Sequence, residues 1–196
     1  MANLARLPYI PAMPLLHSKG MPVGTSAPPF ALPGVDGNIH SLQSFADAEL
    51  LVVVFTCNHC PYAIACEDRL IALQSDYQDK GVQLVAINPN DAVGYPDDSF
   101  GKMKERAQAK GFNFPYLRDE SQEVARAYDA VCTPDFFGFD ANGKLQYRGR
   151  LDDARKGDAA NRRPELLEAM RLIAATGRGP DEQHASMGCS IKWREA

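Results

Sequence analysis

Two cysteines separated by two residues can open and close a disulfide, and Cys57-Asn58-His59-Cys60 is the stretch whose residue types and spacing carry the clearest chemistry. An unbroken apolar run, residues 50–55, precedes it. A broad helical face of Ile64, Leu70, Ile71, Leu73 and Tyr77 follows. A cysteine pair at such a strand-to-helix junction meets the helix N-terminus, where unpaired N–H groups and the dipole favour a thiolate. Cys57, ahead of the helix, is expected to be the more exposed nucleophile, and Cys60, in the first turn, the thiol that resolves a mixed disulfide. An imidazolium at His59 would stabilise the thiolate, favour the reduced form and raise the reduction potential. The plainer alternative is a solvated first-turn histidine.

Structural zinc usually takes two close ligand pairs, and no second pair accompanies this one, so no metal and no cofactor is expected. Five cysteines is an odd number, which argues against a framework of structural disulfides. In the first 20 residues Pro8, Pro11 and Pro14 interrupt the apolar positions, and no stretch approaches the roughly 18 apolar residues of a membrane span. These features predict a cytoplasmic protein with no membrane partner. A formal net charge of -4 with 23% charged residues offers no basic excess for phosphates, so nucleic acid is not expected either. The expected partners are protein or small-molecule thiols and disulfides, and nothing in the sequence fixes an oligomeric state.

The 196 residues suit one core. An N-terminal arm over 1–23, a domain over 24–177 and a C-terminal tail over 178–196 are predicted. Short strands near 30–32 and 39–42, turned by Gly34 to Asn38, form a hairpin. The run 50–55 reads as a central strand, 60 to about 80 as one helix, and 82–87 as a second buried strand, giving a right-handed parallel crossover. Helices are predicted over 99–110, 121–128 and 164–176, with antiparallel strands over 135–140 and 144–147.

The chain resembles the thioredoxin superfamily, in its alkyl-hydroperoxide-reductase/thiol-specific-antioxidant (AhpC/TSA) or redoxin branch. Gly24-Thr25-Ser26-Ala27-Pro28-Pro29-Phe30-Ala31-Leu32, Phe55-Thr56-Cys57-Asn58-His59-Cys60-Pro61-Tyr62, Phe114-Pro115-Tyr116-Leu117-Arg118-Asp119 and Cys132-Thr133-Pro134 carry that resemblance. It implies an α/β thioredoxin fold, a central mixed sheet flanked by helices, here with an N-terminal hairpin extension and a C-terminal tail. It also implies thiol–disulfide oxidoreductase activity, and the His59 reading places its potential above that of thioredoxin. Thr133 and Pro134 are carried over as substrate-binding residues: a cis bond between them faces the cysteines, and the backbone before the proline pairs with an extended substrate strand.

The departures are specific. Thioredoxins place Trp before the first cysteine and a buried acid on the preceding strand, whereas this chain has Thr56 and the apolar 51–55. Related cytochrome-maturation reductases carry Glu three residues past the second cysteine, where Ala63 stands, leaving Glu67 as the nearest candidate. In the peroxiredoxin pattern P-x-x-x-T-x-x-C, aligned on Cys60, Val53 and Cys57 replace the Pro and the Thr that orients peroxide.

Of the remaining thiols, Cys66 reads as helix packing away from the active face. Cys132, beside the proline motif, and Cys189, in the tail with Trp193, are candidate additional redox thiols, and the tail is expected to fold back and bring them together. Asp91, Asp97 and Asp98 read as a polar loop, with one of the last two capping the next helix. The alternatives to disulfide exchange are a thiol-dependent peroxidase, and a redox-sensing or soft-metal module using Cys57, His59, Cys60 and Cys132.

Overall fold

An apolar run without alternation needs cover on both faces, and all six residues of Leu50–Phe55 have it. In the computed structural model, which describes residues 15–154 and 160–195, the elements around that strand are β1 (Leu15–His17), β2 (Ala31–Pro33), β3 (Ile39–Ser41), β4 (Leu50–Phe55), α1 (Pro61–Ile64), α2 (Glu67–Tyr77), β5 (Val82–Asn88), α3 (Phe100–Lys110), β6 (Tyr116–Arg118), α4 (Glu123–Ala127), β7 (Cys132–Thr133), β8 (Asp135–Asp140), β9 (Leu145–Gly149), α5 (Glu165–Thr176) and β10 (Met187–Ser190). The prolines at 8, 11 and 14, and with them most of the predicted arm, fall outside the described residues.

The main sheet has the order β6-β5-β4-β8-β9, the mixed sheet of a thioredoxin fold. Val53 stands opposite Val85 in the parallel neighbour and opposite Phe137 in the antiparallel one. Because side chains alternate along a strand, Val52, Val54, Leu84 and Phe136 pack on one face under Leu70, Met103, Leu166 and Met170. Val53, Phe55, Ile87, Phe137 and Phe139 pack on the other with Val124, Tyr128 and the β2–β3 hairpin. Truncating Phe137 to Ala would cost about 3–5 kcal/mol through lost burial and the cavity left behind. The predicted strands 50–55 and 135–140 match β4 and β8 end to end.

Two expectations need correcting. The single helix predicted from Cys60 is two, because the backbone tightens between them: the Cys66 amide bonds the Ala63 carbonyl three residues back, and regular bonding resumes from Leu70 to Cys66. The tail folds back, as expected, but it is not separate from the domain. Its residues 187–190 form β10, the middle strand of a second sheet, β1-β10-β7, laid against the end of the cysteine motif. Lys192 and Trp193 hold this strand from its far side. The Lys192 amide bonds Asn90 Oδ1 at 2.9 Å, its carbonyl accepts from Gln122 Nε2 at 2.9 Å, and the Trp193 ring lies 4.2 Å from the Arg126 guanidinium.

Candidate active site

The strand hands the chain to the motif abruptly. Thr56 still bonds the Ile87 carbonyl at 2.9 Å, Cys57 and Asn58 turn away, and Cys60 becomes the cap residue of α1, with Pro61 at its first position. Proline suits that position because its ring presets φ and its missing N–H has no intrahelical partner to lose. The Thr133–Pro134 bond, cis as the resemblance implies, brings Thr133 onto both sulfurs. Its Oγ1 lies 3.3 Å from Cys57 Sγ, and its carbonyl oxygen lies 3.1 Å from Cys60 Sγ. Five predicted site residues, Cys57, His59, Cys60, Thr133 and Pro134, therefore fall within one small region.

Cys57 is not the exposed nucleophile its position suggested. It is 2% exposed and Cys60 is 0% exposed, because the chain's own β10 covers the Thr133 edge beside them. Cys189 completes the sulfur cluster, packed with Cys57, Cys60 and Ala63. Cys132 does not join it. Thr133 pairs with Cys189 and Cys132 with Ser190, so strand alternation sends Cys132 to the opposite face, where its sulfur approaches the Pro134 and Ser186 carbonyls. The expected Cys132–Cys189 pair is thus replaced by a contact between Cys189 and Cys60. Cys66 packs into the core beneath β4, as expected of it.

The protons of the cysteine pair are shared. The bond from Cys57 and a further one from Cys189 pull the Cys60 thiol below its ordinary value against the effect of burial, while the same bond to Cys60, burial and the Asp98 charge push Cys57 up. The two titrate as a unit. The Thr133 contacts supply the second arrangement: with the proton passed to Cys60, its S–H donates to the Thr133 carbonyl and the Thr133 hydroxyl donates to a Cys57 thiolate.

Asp98 is the residue that the sequence reading missed. Rather than capping α3, whose cap position belongs to Ser99, it turns its carboxylate inward. Oδ1 accepts from the Asn58 amide at 2.7 Å and Asn88 Nδ2 at 3.1 Å; Oδ2 accepts from His59 Nδ1 at 2.6 Å and Asn90 Nδ2 at 2.9 Å. Burial alone would raise its pKa, but the bonds from His59, Asn90 and Asn58 outweigh burial and hold the carboxyl below the usual range. Against an ionised carboxylate, His59 Nδ1 must be the donor. The His59 ring stacks on Tyr95, with centroids 5.1 Å apart and planes 9° from parallel. A buried acid, absent from β4, thus stands beside the cysteine motif on a loop forty residues downstream of Asn58. The available signal was the pair Asn88 and Asn90, polar residues at and just beyond the end of a strand whose last four residues before Asn88 are buried and apolar.

Glu67, the other candidate acid, is engaged elsewhere: both its carboxylate oxygens bond the Arg106 guanidinium. Donor atoms of Cys57, His59 and Asp98 lie within 4.8 Å of one another and form the one candidate metal-ligand set among the described residues, but Asp98 already accepts four hydrogen bonds.

The AhpC/TSA family profile matches residues 23–148. The thiol–disulfide oxidoreductase ResA of Geobacillus thermodenitrificans is 30% identical over 126 residues, 63% of this chain and 67% of that protein. A conserved protein of Geobacillus kaustophilus, known by its crystal structure, is 46% identical, with a TM-score of 0.88 over 94% of this chain and 99% of that one. The thioredoxin domain of a thiol-disulfide oxidoreductase from Bacteroides vulgatus, 18% identical, superposes with a TM-score of 0.57 over 65% of this chain and 88% of that domain, a likeness of fold alone.

Proposed function

This chain belongs to the AhpC/TSA family, and we propose that its thiol–disulfide oxidoreductase activity runs through a reversible Cys57–Cys60 disulfide. The observation that carries this reading is Thr133, whose hydroxyl and carbonyl each contact one of the two sulfurs. In exchange, the Cys57 thiolate attacks one sulfur of a substrate disulfide, forming a mixed disulfide and releasing the other sulfur as thiolate. Cys60, deprotonated in turn, attacks Cys57 Sγ, closes the internal disulfide and expels the second substrate sulfur. Reversed, the same steps oxidise a dithiol.

His59 and Asp98 tune the pair from beside Cys57 without touching substrate. Peroxide reduction is the weaker reading, because Cys57 stands where the peroxidase pattern needs a Thr hydroxyl to orient the peroxide. We place the exchange in the cytoplasm, where thiols are kept reduced and a clustered pair serves redox chemistry more often than a structural disulfide.

Cys57→Ser is expected to abolish reduction of a small aromatic disulfide followed by absorbance, while Cys60→Ser traps mixed disulfides that survive on non-reducing gels. Full turnover by a folded Cys57→Ser variant would overturn the assignment. Rapid consumption of peroxide with a thiol donor, but no disulfide exchange, would favour the peroxidase.

A further inference from the structure

We propose that Cys189 is a third redox thiol of this centre, delivered on the chain's own C-terminal strand in the position of a substrate strand, and that it takes the disulfide over from Cys57–Cys60 as a Cys60–Cys189 bond. The proposal rests on the Cys57–Cys60 reading and extends it.

Three observations support it. First, β10 pairs antiparallel with β7 so that Cys189 lies directly across from Thr133, the residue contacting both active sulfurs. An extended peptide added at the Thr133 edge would make the same pairing, so the chain already carries a cysteine where a docked substrate would present its own. Second, the approach is a close one that the sequence permits at Gly188, since a Cβ there would run into the Thr133 carbonyl oxygen. Third, Cys189 packs directly on Cys60, and α1, which Cys60 caps, lies against β10. Burial and its bond to Cys60 push the Cys189 thiol up to about 12, with the nearby Lys192 charge acting the other way. The contribution of Cys60 disappears once Cys60 is part of a disulfide, which is the state in which Cys189 has to act.

The step is an internal exchange with no net oxidation. The Cys189 thiol gives up its proton and its sulfur attacks Cys60 Sγ. The Cys60–Cys189 bond forms, the Cys57–Cys60 bond breaks, and Cys57 leaves as a thiolate that takes up the proton. The oxidised centre thus has two forms, one of which holds β10 covalently against α1 and leaves Cys57 reduced.

The two linkages separate on peptide mapping of the full chain. Trypsin leaves Cys57, Cys60 and Cys66 on peptide 20–69, Cys132 on 127–144 and Cys189 on 179–192. After one equivalent of diamide, acid quench and alkylation, wild type is expected to give peptide 20–69 closed on itself together with a minor 20–69/179–192 cross-link. The cross-link should survive Cys66→Ser, vanish in Cys60→Ser and become the main product in Cys57→Ser. Gly188→Ala should remove the cross-link and keep the internal Cys57–Cys60 disulfide.

Absence of the cross-link from both wild type and Cys57→Ser, with Cys57–Cys60 closing normally in wild type, would overturn the proposal. So would a 127–144/179–192 link in its place. Because wild type is itself one arm, an unfolded Cys57→Ser leaves the question decidable. Failure of wild type to close Cys57–Cys60 at all would overturn the reading beneath it.

Discussion

Asp98 and Asp135 are both 0% exposed and each serves one half of the site, yet their surroundings shift the two carboxyls in opposite directions. Asp98, beside Asn58 and His59, receives hydrogen bonds from four groups and stays below the ordinary carboxyl range. Asp135, which follows Thr133 and Pro134, is pushed by burial up to about 7, the neighbouring Ser18 and Ser186 hydroxyls offsetting only part of the rise. Those hydroxyls approach its oxygens without meeting full hydrogen-bond geometry. Deeper burial at Asp135 and the four hydrogen bonds at Asp98 together drive the two carboxyls apart. On the loop side of the cysteine pair Asp98 carries a fixed negative charge, and on the tail side Asp135 is neutral below about pH 7.

The sharpest way to break that contrast is to remove Asp98. Asp98→Ala strands four donors in the interior and is expected to destabilise the fold by about 3–5 kcal/mol, measured by urea unfolding at pH 7. The folded carboxyl lies below its unfolded value near 3.9, so its stabilisation is present above about pH 4 and is lost as pH falls through the folded value. The deficit of the variant should therefore shrink in acid. A pH-independent deficit would mean that Asp98 acts by shape and not by charge.

Asp135 should behave with the opposite sign. Its folded value of about 7 lies above the unfolded one, so between about pH 4 and 7 the folded chain keeps a proton that the unfolded chain has released. Stability then falls across that window and is level above it. At about 1.4 kcal/mol per unit, the penalty above pH 7 is about 4 kcal/mol. Asp135→Asn should match wild type near pH 4 and exceed it at pH 8. Parallel stability curves for the two proteins would remove Asp135 from the comparison.

The same contrast divides what the sequence disclosed from what it did not. β4, β5 and β8 are six or seven residues long with buried apolar centres, and their ends were placed to within a residue; Gly177, at φ 72, stops α5 where glycine was expected to. The strands that shape the tail side are two to four residues long and pair across large sequence gaps, with Leu15 opposite Cys189 and Cys132 opposite Ser190, so no local periodicity marks them. At the site itself, the cysteines and Thr133–Pro134 were legible because their chemistry lies in adjacent residues. Asp98 was not, because an acid before a helix has an ordinary use as a cap, and only the folded loop shows that it turns the other way.

The smallest expected effect bears most directly on the chemistry. The Asp98 charge raises the Cys57 pKa, and His59 Nδ1 donates into that carboxylate at 2.6 Å. His59→Ala removes the donor and leaves the carboxylate facing the cysteines with less compensation, so a thiolate in the reduced pair is disfavoured and the reduction potential falls. A fall of about 30 mV is expected, ~1.4 kcal/mol for the two-electron couple, measured by equilibration against a glutathione buffer. Asp98→Asn keeps the size of the side chain and removes the charge, with an amide NH2 in place of one accepting oxygen, so the double variant should recover most of the loss made by His59→Ala alone. That recovery is what separates an electrostatic role from lost stacking on Tyr95, which both His59 variants share. If the double variant falls as far as the single one, His59 acts through its packing, and the charge on Asp98 does not reach the disulfide.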